Sequence, residues 1–161
     1  MLRRVLACAL VAGSVGAFVF AAPVAQATPR AQSTTCDANL LLRFRPGLTF
    51  NTRSQMIRIS GSLSNCVGGG VASATVIKGT GSGSISCTSG SASATINLMW
   101  NTGEKSQVQG NVDVNGNVTG TVTLGKFAGE SVTASLTVTP LNGDCFLNPV
   151  TSASATGSVS L

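Results

Sequence analysis

The stretch "GNVDVNGNVTGTVTLG", residues 110–125, decides how the chain folds, because its valines admit one consistent pairing. With Asn115-Gly116 as a two-residue turn, Val112 falls opposite Thr119 and Asp113 opposite Val118, mixing apolar and polar side chains on each face. A three-residue loop, Val114-Asn115-Gly116 with Gly116 left-handed beside a bulge, removes the mismatch. Val112 then faces Val118, Gly110 faces Gly120 and Val108 faces Val122. Gln107, Gln109 and Asn111 meet Thr119, Thr121 and Thr123 on the other side. The stretch reads as a half-buried antiparallel hairpin.

The same alternation runs outward in both directions. Upstream, "SASATINLMW" (91–100) places Ala92, Ala94, Ile96, Leu98 and Trp100 on one face. Across "NTGEKS", Trp100 is expected to meet Val108 and Leu98 to meet Gly110. Before that, "GTGSGSISC" (79–87) is expected to set Gly79, Gly81 and Gly83 opposite Trp100, Leu98 and Ile96, the glycines leaving room for the larger side chains. Downstream, "GKFAGE" turns into "SVTASLTVT", where Val132, Ala134, Leu136 and Val138 continue the inner face. Even-numbered side chains from Ala92 to Val138 should therefore share one interior.

Nearer the N-terminus, "NLLLRFRPG" and "SQMIRISGSLS" pair with Phe44 opposite Ile57 and Leu42 opposite Ile59. That register brings Cys36 and Cys66 to neighbouring strand ends and leaves Cys87 to pair with Cys145. "VASATVIK" and "SATGSVSL" add two further strands, with one long loop at 140–154. The reading is all-β: an antiparallel up-and-down meander of about eight strands with two disulfides. Closure into a small β-barrel, which removes exposed sheet edges, is favoured over a β-sandwich that would satisfy the same pattern.

The first residues read as an export signal, 1–27: "MLRR", then an apolar run, then "AQA" as cleavage site. The rest, 28–161, is expected to be a single secreted β domain, extracellular, with no membrane association after cleavage. Without Arg3 and Arg4, eight basic residues stand against five acidic ones, a net charge of +3. That balance is too mild for a nucleic-acid binder. Outside residues 1–27 four of the five cysteines remain, an even count that in an exported chain points to disulfides, and the lack of histidine and of any C-x-x-C pair argues against zinc.

Candidate sites are few. "GTGSGS" (79–84) resembles a phosphate loop, but a strand follows it where a helix N-terminus is needed. Asp113, Asn115 and Asn117 alternate oxygen ligands, yet the glutamate a calcium loop requires is missing, so no metal is expected. Arg43, Arg45, Arg53 and Arg58 cluster, with Arg43 set across from Arg58; like charges facing each other suggest a patch for an anionic extracellular or cell-wall partner. Trp100 and Phe127 are candidates for a pocket rim, or for the core and cap of the barrel. Phe146 is expected to cover the Cys87–Cys145 bridge. Without histidine no His-dependent triad exists, and the five acids are scattered; neither an enzyme nor a cofactor is expected.

"FRPGL" (44–48), "G-x-L-x-x-C" (Gly61 to Cys66), "W-x-x-G" (Trp100 to Gly103) and "G-x-F-x-G" (Gly125 to Gly129) give the chain a look that resembles functionally uncharacterised small secreted proteins of high-GC Gram-positive bacteria. The resemblance implies export and a β fold. The enediyne-carrying apoproteins are similar only in general style. The first functional expectation is a non-enzymatic interaction module at the cell surface. The alternative is a carrier with an apolar cavity where Gly110, Gly120, Ala94 and Ala134 leave space; a peptidase inhibitor presenting the 140–154 loop is third.

Overall fold

Ser, Thr and Val alternate along most of the chain, and β-branched residues on a pleated surface favour strands over helix. The structure, a computed structural model, describes residues 33–161, so the expected signal at 1–27 lies outside the described residues. Eight strands follow one another: β1 (Thr35–Leu48), β2 (Arg53–Val67), β3 (Ala74–Ile85), β4 (Gly90–Trp100), β5 (Lys105–Asp113), β6 (Asn117–Gly125), β7 (Ser131–Pro140) and β8 (Val150–Ser160). Each pairs antiparallel with the next, and β8 pairs with β1, closing a barrel. No sheet edge is left open, so the sandwich is ruled out.

The opening hairpin has the expected register: Val112 faces Val118, Gly110 faces Gly120 and Val108 faces Val122. Gly116 takes φ of 81° and donates to the Asp113 carbonyl at 3.1 Å. Phe44–Ile57, Leu42–Ile59 and Arg43–Arg58 also pair as read. Both disulfides form as expected, Cys36–Cys66 and Cys87–Cys145.

Two hairpins take a register different from the sequence reading. Ile96, not Trp100, faces Val108, and Ala94, not Leu98, faces Gly110. Gly79, Gly81 and Gly83 face Ile96, Ala94 and Ala92. Side-chain alternation fixes which face a residue takes but is unchanged by a slip of an even number of residues, here four, so both registers put the same residues inside. The glycines are needed for close strand approach rather than to admit Trp100: a Cβ on Gly79 would lie 2.7 Å from the Ile59 Cβ.

"VASATVIK" and "GTGSGSIS" are one strand, β3, interrupted by a bulge between Val76 and Lys78. The bulge turns Ile77 and Lys78 outward together and moves the inner face from even to odd positions. A second irregularity sits where Gln107 faces Leu124 but Val108 faces Val122. It turns Leu124 outward despite its even number, 60 % exposed, and Val138, at the far end of β7, is 36 % exposed. The long loop is shorter than read, because β7 and β8 extend to Pro140 and Val150.

The interior is apolar, built on residues such as Phe44, Ile57, Leu98, Val122 and Ala155. One end of the barrel carries the β1–β2, β3–β4 and β5–β6 turns and the β7–β8 loop. The other carries the remaining turns and both described chain ends, where Thr34 and Leu161 exchange backbone hydrogen bonds of 3.0 and 2.8 Å.

Candidate functional site: an apolar cavity and an outer trough

The two barrel ends are filled differently. Trp100 lies at the end that carries the β4–β5 turn, 2 % exposed, and its indole N–H donates to Ser106 Oγ at 2.8 Å. Phe127, held at φ of 66° in the β6–β7 turn, meets it edge-on with ring centroids 5.2 Å apart. The Lys126 ammonium sits 5.3 Å from the Phe127 ring centre and pairs with Glu104 at 2.7 Å, the one salt bridge among the described residues. The hydrogen bond from Lys126 holds the Glu104 carboxyl below its ordinary pKa. Trp100 and Phe127 thus form a plug. They do not line the cavity described next, so the pocket-rim assignment is replaced by the cap reading.

Beyond this plug the packing opens into a cavity of about 250 Å³ that runs from Leu63, Leu98 and Leu161 towards the other end. Its walls are aliphatic and aromatic, with Leu42, Phe44, Ile96, Val118 and Leu136 among them. The lining residues with polar side chains are Ser86 and Asp113, besides Asn111, which lines the outer surface as well. The cavity exists because small residues replace large ones on the wall: Ala94, Gly110 and Ala134 line it, as expected, whereas Gly120 does not. By proportion to the cavity of about 150 Å³ that holds benzene, this void suits a ligand of roughly ten heavy atoms.

The cavity reaches the turns at this end, since Val114, Cys87, Cys145 and Pro140 also line it. The β7–β8 loop stands over it, tethered by Cys87–Cys145. Asp144 organises that loop by accepting backbone N–H groups of Phe146, Leu147 and Asn148 at 2.8–2.9 Å. These bonds, led by Asn148, depress its pKa. Asp113 plays the same part in the β5–β6 turn, accepting from Asn115 and Asn117 at 2.9–3.0 Å, and the Asn117 side chain leads the lowering of its pKa. Turn chemistry accounts for the Asp-Asn-Asn alternation.

The exposed apolar side chains Phe50, Leu141, Phe146 and Leu147 belong to the connections at this end. Phe146 does not shelter its neighbouring disulfide as expected. It is 83 % exposed, and its ring meets Phe50 edge-on with centroids 4.6 Å apart.

Outside the barrel, Arg43, Arg45 and Arg58 line one end of a shallow trough. Arg53 does not join them. Its guanidinium donates to the Gly47 carbonyl at 2.8 Å, at the β1–β2 turn. Gln55, fully buried, accepts from Gly47 N–H at 3.0 Å and donates to its carbonyl at 2.8 Å, a side-chain substitute for strand pairing. Sequence reading missed Gln55; its inward parity beside Ile57 was the available signal.

Comparison with protein-family models, curated proteins and solved structures gave no match. The site must therefore be judged on its chemistry. Among the described residues no group of three or more Cys, Asp or Glu is placed to hold a metal. The apolar cavity and the basic trough remain as the two surfaces with something to bind.

Proposed function

We propose that the protein is a secreted, non-enzymatic carrier that holds a small apolar molecule inside its barrel. The observation that carries this reading is the 250 Å³ aliphatic cavity, in a barrel whose opposite end is plugged by Trp100 and Phe127. Apolar walls with a few polar groups are the usual make-up of a small-molecule site. The two disulfides favour an oxidising compartment and hence export. The carboxylates at the cavity end, Asp113 and Asp144, are committed to their own turns, which supports binding rather than catalysis. Inside-apolar, outside-polar is also the reverse of a transmembrane barrel, and so favours a protein surrounded by water.

A homologous series of straight-chain alcohols tests the reading by calorimetry. Each added methylene should strengthen binding about fourfold. The gain should stop near a ligand of roughly ten heavy atoms, when the void is full. Absence of saturable binding, or an affinity that climbs with chain length without a break, would count against a carrier.

A further inference from the structure

The outer trough has an order that the carrier reading does not use. Its rungs are set by strand register. One runs Arg43, Arg58, Thr80, Thr95, Gln109, Thr121, each residue directly opposite the next on β1 to β6. The second, two residues along each strand, runs Arg45, Met56, Ser82, Ser93, Asn111, Thr119. All twelve line the trough. Six strands at a spacing of ~4.8 Å give it a length of about 24 Å.

The concavity has a physical cause. Gly81, Ala94, Gly110 and Gly120 face one another on β3 to β6 and turn their small or missing side chains inward. A Cβ on Gly110 would lie 3.1 Å from Gly120 Cα, so the strands approach with no side chain between them. Ala94 and Gly110 line both the inner cavity and the trough, so this wall is one backbone thick.

The charge is one-sided. Arg43 and Arg58 oppose each other, no acidic residue among the described residues lines the trough, and the salt bridge of Lys126 and Glu104 is elsewhere. Facing like charges are unfavourable to the fold, and a guanidinium is shaped to grip an oxyanion with paired hydrogen bonds. Beyond the arginines the walls offer hydroxyls and amides, and among the described residues no aromatic ring lines the trough. Single-stranded nucleic acids are held by stacking on such rings, so the lining does not suit them.

We propose that this trough binds an extended, phosphodiester-linked polyol chain, its phosphates at Arg43, Arg45 and Arg58 and its hydroxyls along the Thr, Ser and amide rungs. The site is independent of the cavity, so either can fail without the other.

Binding of poly(glycerol phosphate) oligomers of graded length, followed by calorimetry and amide chemical-shift mapping, tests it. Affinity should rise until the chain spans about 24 Å and then level off. Shifts should extend along Thr80, Thr95, Gln109 and Thr121. Combined Arg43→Gln, Arg45→Gln and Arg58→Gln should weaken binding about tenfold or more, with the near-ultraviolet signal of Trp100 retained. Arg53→Gln, outside the trough, should bind as before. If the triple variant does not fold, the wild-type shift map decides alone. Equal affinity for single-stranded DNA or a polyuronate of matched charge, an unchanged triple variant, or shifts away from the trough would overturn the proposal.

Discussion

Replacing Ala134 with leucine turns the cavity into a question of sign. Ala134 lies on β7 between Val118 and Val159 and points into the void. The substitution adds three carbons. If the void receives them, their burial contributes up to ~2.4 kcal/mol at ~0.8 kcal/mol per carbon. Fixing the leucine rotamer opposes this by about 0.5–1 kcal/mol, leaving about 1.5 kcal/mol of stabilisation. The midpoint of thermal unfolding should rise by roughly 5 °C for a domain of this size. The filled void should also shorten the longest alcohol accommodated by about three carbons. A wall already packed solid would give the opposite result, since over-packing costs about 1–3 kcal/mol. A lowered midpoint, or a raised one with the alcohol cut-off unmoved, would refute the cavity argument.

Gln55→Leu should lower stability by about 1–3 kcal/mol in urea titration, because the Gly47 N–H loses its acceptor while its carbonyl keeps Arg53. Replacing Cys87 and Cys145 together with serine releases a cross-link spanning 58 residues and should cost about 4 kcal/mol, read from the shift in denaturation midpoint. The carboxyls of Glu104, Asp113 and Asp144 have lowered pKa values, so their stabilisation is full above the unfolded-chain values and lost as pH falls through the folded ones. The chain has no histidine, so the thermal midpoint should be flat from about pH 5 to 8 and decline below about pH 4.

Much of the fold was legible because period-two alternation is a strong constraint. The three-residue loop at Val114–Gly116 followed from matching valine to valine, and the Cys36–Cys66 bridge from pairing Phe44 with Ile57. What failed has two causes. A slip of four residues changes no face, so polarity leaves the β3–β4 and β4–β5 registers undetermined, and Gly79 faces Ile96 rather than Trp100. Bulges reverse parity without a mark in composition, which divides β3 after Lys78 in the sequence reading and hides the outward turn of Leu124.

Site residues divide along the same line. Small residues at Ala94, Gly110 and Ala134 pointed to a void because their inward direction was already known. Arg43 and Arg58 were placed together by register, and Arg45 joins them two residues along. Arg53 lies past the turn, where alternation gives no direction, and it serves Gly47. For Trp100 and Phe127 alternation leaves rim and cap both open, and their edge-on contact across two turns decides for the cap.

The most direct test of the carrier reading follows methyl signals while a saturating straight-chain alcohol of eight to ten heavy atoms, a size set by the cavity, is added to the disulfide-bonded protein. The methyls of Leu42, Ile96, Val118 and Leu136 should shift together and saturate, while those of Ile77 and Leu124 on the outer surface stay still. Silence from the four inner residues, or equal movement of the two outer ones, would mean that the barrel holds nothing.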